Sequence, residues 1–161
     1  MRNDWIAEKA VAGGVMDGTR WAICKHPMFD CPSMPLEFGY NGYAIFDKRP
    51  VREMSYGGLL VYVPVHGGIT YAQEAEDGTM AYGFDTGHCD SGMFPICDLG
   101  WVKCQIDVMI RAIRLCAELE PEYLLSATNK ERAPICGKVL ALQPGQPMSM
   151  GAMLAVLGGN L

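Results

Sequence analysis

Apolar and polar residues alternate on both sides of Asp77-Gly78, from Ile69 to Phe84. Alternation at this period is the mark of half-buried strands, and Asp-Gly between two such runs predicts a two-residue hairpin turn. With that turn Glu76 faces Thr79, Ala75 faces Met80, Gln73 faces Tyr82 and Tyr71 faces Phe84. Directly opposed residues share a face. Ile69, Tyr71, Met80, Tyr82 and Phe84 then form one apolar face. Thr70, Ala72, Glu74, Ala81, Gly83 and Asp85 form the other, with Thr70 directly across from Asp85.

Around this hairpin the pattern predicts further elements. Asn3 or Asp4 caps a short helix that stops before Gly13-Gly14. Thr19 to Cys24, Tyr40 to Phe46 and Leu59 to Val65 read as strands, with Pro64 marking an edge or a strand end. Residues 25–37 read as a proline-rich loop. Leu99, Val102, Ile106, Ile110, Ile113 and Ala117 keep helical spacing behind Asp98 as cap, and Pro121 marks the expected stop at Glu120. Lys103, Asp107, Arg111, Arg114 and Glu118 form the wet side of that helix. Val139 to Leu142 reads as a last strand, before an apolar tail rich in Met, Ala and Gly. The expected fold is α+β: a mainly antiparallel sheet of about five strands with one long helix on one face. One domain is expected over 1–161, with a body over about 19–120 and an apolar C-terminal tail over 133–161.

Composition narrows the class. Half of the 161 residues are hydrophobic and 19% are charged, which fits a packed fold. A net charge of -5 disfavours non-specific nucleic-acid binding, which needs a basic stripe. No apolar run reaches the length of a membrane span, and the charged start MRNDWIAEKA does not resemble a signal peptide. The seven cysteines are odd in number and contain no C-x-x-C pair, so reduced thiols and a cytoplasmic setting are expected. Cys104 and Cys116 read as small buried groups on the long helix. Cys24, His26 and Cys31 have a spacing that holds zinc only with a fourth ligand from elsewhere; the plainer reading is a loop punctuated by prolines.

The candidate chemistry concentrates in HGGITYAQEAEDGTMAYGFDTGHCD, residues 66–90, which holds two of the three histidines. Imidazole and carboxylate around glycine turns suit a metal or acid/base site. His66, Asp85 and His88 are the candidate catalytic residues. With Asp90 they form the candidate ligand set for a divalent metal, zinc or manganese. Gly67, Gly68 and Gly87 could present backbone amides to a ligand beside Thr70, and Arg49, Arg52 or Lys103 could add positive charge. A Cys89–His66 dyad is a lesser alternative, and tight turns capped by His or Asp are the purely structural one.

Val65-His66-Gly67-Gly68-Ile69-Thr70, then Gly83-Phe84-Asp85 with His88, then Trp101-Val102-Lys103 opening a helix, resemble a group of uncharacterised small proteins encoded by bacteriophages. Gly42-Tyr43 matches a preceding strand of that group. The resemblance covers about residues 20–120. It differs at Asp90, which follows His88 by two positions rather than three, and at Tyr82, which stands where the group has its usual aromatic. It implies a phage-type accessory protein in the host cytoplasm. Two functions fit: a metal-dependent hydrolase of a phosphate- or nucleotide-like substrate, and a non-catalytic anti-defence protein. The second would sequester a small anionic or nucleotide-like signal or block a host protein complex. A homo-oligomer fits the apolar tail.

Overall fold

A computed structural model of the chain describes residues 3–27, 38–52, 57–86 and 98–142. Helix α1 (Asp4–Glu8) leads into strands β1 (Ala10–Met16), β2 (Thr19–Pro27) and β3 (Phe38–Phe46). A short 3-10 helix follows at Gly58–Tyr62, then β4 (Tyr71–Glu74) and β5 (Met80–Asp85). Helices α2 (Leu99–Leu125) and α3 (Asn129–Leu140) complete the described chain. The five strands form one antiparallel sheet in the order β1-β2-β3-β5-β4. The fold is therefore α+β, with the long helix against the sheet.

Alternation along the strands sorts the core into two layers. Ile23, Ala44, Met80, Tyr82 and Phe84 face α2, where Val102, Ile106, Met109, Ile110 and Ile113 are all fully buried. Each such side chain contributes about 1.5–3 kcal/mol by leaving water, so this layer holds α2 in place. On the other face Ala22, Cys24, Tyr43, Ile45 and Ala81 pack with Ile6 of α1, and Trp5 and Tyr71 close over them.

Two glycines let the central strands pack this tightly. Gly42 pairs with Phe84 and Tyr43 pairs with Gly83, on opposite faces of β3 and β5. A Cβ at Gly42 would lie 2.6 Å from the Phe84 ring, and one at Gly83 would lie 2.6 Å from the Tyr43 ring. Each aromatic ring thus lies over the glycine of the neighbouring strand.

Several elements differ from the expectation. The short helix α1 follows Asn3 and stops before Gly13-Gly14 as expected, but those glycines lie inside the edge strand β1, which joins β2 through Asp17-Gly18. Both turn residues have positive φ, 48° and 74°, as a two-residue hairpin turn of the mirror-image type needs. Leu59 to Val65 is not a strand; its first part is the 3-10 helix Gly58–Tyr62. Its buried residues are Leu59, Leu60, Val63 and Val65, whose spacing is not that of a strand, and Gly58 enters it at a φ of 53°.

Helix α2 begins at the Asp98 cap, whose carboxylate accepts from the Trp101 N–H at 2.8 Å, and runs through Pro121 to Leu125. Leu119 and Tyr123 pack on the core on either side of the proline, which offsets the hydrogen bond it cannot donate. Val139 to Leu142 is not a strand; it contains the end of α3. Thr128 and Glu131 form a capping box that starts this helix, and Ile135, Cys136 and Val139 lie on its buried side. Cys104 is exposed, whereas Cys116 is buried as expected; the four described cysteines are free.

The hairpin itself holds a further correction. Tyr71 pairs with Gly83, Ala72 with Tyr82 and Gln73 with Ala81, one residue out of the expected register. The loop has three residues, Glu76 to Gly78. The Ala75 N–H donates to the Thr79 carbonyl at 2.8 Å, the Gly78 N–H donates back to Ala75 at 2.9 Å, and Gly78 has a φ of 83°. This is a turn with one left-handed residue, which inserts one more position than a two-residue turn. Met80, Tyr82 and Phe84 keep their buried side, but Tyr71 moves to the α1 face and Ala72 takes its place.

Candidate functional site

His66 sits at the tip of a turn over Val65–Gly68, closed by the Gly68 N–H donating to the Val65 carbonyl at 2.9 Å. Gly67 and Gly68 have φ of 68° and 77°, a region that glycine enters without steric cost. The His66 N–H donates to Oε1 of the buried Gln105 at 3.0 Å, and its ring stands edge-on to Trp101 at 5.4 Å. The turn is thereby tied to the first turns of α2. The Gly68 amide is spent in closing the turn and is not turned toward a ligand.

Asp85 ends β5 and pairs with Asn41 of β3. The expected Thr70–Asp85 opposition is absent, because the shifted register brings the Thr70 N–H to the Gly83 carbonyl at 2.9 Å instead. Alternation from the buried Phe84 turns Asp85 to the α1 face, the face of Tyr43, while the His66 ring lies on α2. Below Asp85 the sheet is closed by Thr86, whose hydroxyl accepts from the Tyr40 N–H at 2.9 Å. His88, Asp90, Gly87 and Cys89 lie outside the described residues, as do Cys31 and the His26 side chain. Among the described residues no three His, Cys, Asp or Glu side chains gather as a metal group.

The cations named as charge donors lie elsewhere. Arg49 donates to the Val51 carbonyl at 2.9 Å and pairs with Glu74 at 3.7 Å. The Arg52 N–H is held by Glu120, about 22 Å along α2 from Gln105. The Lys103 ammonium lies over Trp21 at 5.3 Å.

Asn41 and Tyr43, neither of them a candidate site residue from the sequence, join Asp85. Asn41 Nδ2 donates to the Tyr43 hydroxyl at 3.2 Å, and Asn41 Oδ1 is buried without a hydrogen-bond partner. Burial pushes the Tyr43 phenol up to about 12, and the Asp85 carboxylate adds to the rise. Tyr43 also meets Trp5 and Tyr71 edge-to-face, with ring centroids 5.7 and 5.4 Å apart. The α1 face thus carries a carboxylate and an unused amide oxygen beside an aromatic cluster. Such a set accepts hydrogen bonds. A buried acceptor left unmatched costs about 1–3 kcal/mol. The signal in the sequence was Asn41-Gly42-Tyr43, which becomes legible only once β3 is paired with β5.

Comparison of the chain with known protein families, with curated proteins and with solved structures gives no match.

Proposed function

We propose that this chain is a phage-type accessory protein of the host cytoplasm that binds a nucleotide-like ligand without hydrolysing it. The observation that carries the reading is the half-buried Asp85 carboxylate on the face of Tyr43, beside the ring cluster of Trp5, Tyr43 and Tyr71. A base that presents N–H donors matches a carboxylate, and the ring cluster of Trp5, Tyr43 and Tyr71 supplies apolar surface next to it. His66 stands outside this site and joins its turn to α2. The metal-dependent hydrolase is the less supported alternative, since it needs His66 and Asp85 at one centre.

The test is calorimetric titration of the purified chain with a panel of purine and pyrimidine nucleotides, beside a metal assay of the same preparation. Asp85→Asn is expected to weaken binding by about 1.5–3 kcal/mol, the loss of charged hydrogen bonds. His66→Ala is expected to leave binding in place. A stoichiometric metal that is lost in both His66→Ala and Asp85→Asn would replace this reading with the hydrolase.

A further inference from the structure

The sheet has two edges, and they differ. β4 is four residues long, carries Glu74 paired with Arg49, and has the Asn3 amide donating to its Gln73 carbonyl at 3.4 Å. Short length and charge of this kind protect an edge from pairing. β1 has neither. It is seven residues long, AVAGGVM, without a charge or a proline, and Gly13, Gly14 and Val15 are exposed. Val11 and Val15 are 47% and 68% exposed, large apolar side chains at the rim of the sheet.

The hydrogen-bond phase of this edge follows from its turn. The residues that flank a two-residue turn exchange backbone bonds, so Met16 bonds Thr19, and Gly14 and Ala12 likewise point inward to β2. Gly13 and Val15 then point their N–H and C=O groups outward. A β-bulge between Ala10 and Ala12 leaves Val11 without a partner on β2.

The strand also complements itself. Its flanks are Lys9 on one side and Asp17 on the other. Turned antiparallel about Gly13, a second copy places Gly13 against Gly13, Val15 against Val11, and Lys9 toward Asp17 at both ends. The outward backbone groups of Gly13 then meet those of the other copy's Gly13, and opposite charges meet twice. This is the pattern of an isologous two-fold contact.

We propose that β1 is the site of homodimerisation, joining the sheets of two copies edge to edge into one continuous sheet through Gly13, with Val11 of each copy on Val15 of the other. The occupant is a second copy of this chain, because the edge is uncharged along its length and oppositely charged at its two ends.

Sedimentation equilibrium of the full chain over a concentration series tests this, beside hydrogen exchange of the backbone amides. The wild type is expected to reach twice the monomer mass. The Gly13 and Val15 amides are expected to gain protection as the concentration rises. Val15→Lys sets one lysine against the valines of each copy, and is expected to weaken the dimer roughly a hundredfold with an unchanged circular dichroism spectrum. Val15→Thr is expected to dimerise as the wild type does. A wild type that stays monomeric at all concentrations overturns the proposal. So does a Val15→Lys variant that dimerises as well as wild type, or a dimer in which the Gly13 and Val15 amides stay unprotected.

Discussion

Gly83→Ala tests the packing that positions Asp85. The added methyl would lie 2.6 and 2.8 Å from the Tyr43 ring and 3.0 Å from the Gly42 carbonyl oxygen. The ring has little room to yield. It is 4% exposed, meets Trp5 and Tyr71 edge-to-face, and has its hydroxyl held by Asn41. Overpacking against so constrained a ring should cost about 2–3 kcal/mol. For a chain of this size that is a fall of about 5–10 °C in Tm. Urea denaturation followed by tryptophan fluorescence reads the loss, since Trp5 rests on Tyr43. The same substitution in a Tyr43→Ala background should add less than about 0.5 kcal/mol, because the clashing ring is gone. A Gly83→Ala protein within about 0.5 kcal/mol of wild type would show that Tyr43 does not lie over Gly83, and the pairing of β3 with β5 would need a different register.

Tyr82→Phe should stabilise the chain by about 1 kcal/mol in the same assay, because Tyr82 is fully buried, its hydroxyl has no hydrogen-bond partner, and burial already pushes its phenol well above the usual range; a net loss would mean the hydroxyl is satisfied. Thiol labelling of the native protein, mapped by peptide mass, should reach the exposed Cys104 first among the described cysteines. Cys24 and Cys116 should lag, since both thiols are buried and pushed up, Cys116 to about 12. Thr128→Ala should cost about 1 kcal/mol through loss of the α3 cap. The Glu131 carboxylate accepts from the Thr128 and Ala127 N–H groups, which hold it below the usual glutamate range. A depressed carboxylate contributes stability above its ordinary value and loses it as pH falls through the lowered one. Wild type and Glu131→Gln should therefore differ near neutral pH and converge in acid; a constant difference across that range would refute the cap.

The parts of the fold legible in the sequence were those with a single periodicity. Helix α2 announced itself through Val102, Ile106, Ile110 and Ile113 behind a capping aspartate, and the β5 alternation of Met80, Tyr82 and Phe84 read true. Elements were misread where a strong local signal carried two meanings. Gly13-Gly14 suited a helix stop and an edge strand equally, and the strand won because β2 offered it a partner. Pro121 marked a helix end in isolation, yet packing of Leu119 and Tyr123 holds the helix through it. Thr128 and Glu131 stand three apart in the capping-box pattern that starts α3, a signal legible in the sequence.

The site turned on one dipeptide that occurs twice. Asp17-Gly18 and Asp77-Gly78 look alike in the sequence, but the first takes positive φ at both residues and the second only at Gly78. Asp77 instead uses its carboxylate, which accepts from the Thr79 N–H at 3.0 Å and from its hydroxyl at 2.7 Å. That local bond favours the longer turn, in which aspartate needs no left-handed backbone. The extra residue slides β4 by one position and removes Thr70 from its place opposite Asp85. β5 is fixed independently, since β3 pairs with its other side, so Asp85 keeps its own face. Its neighbour across the sheet is then Asn41 rather than a residue of the HGGIT loop. The candidate ligand surface therefore lies at the end of the β3–β5 pair, whose register the β4 turn does not set.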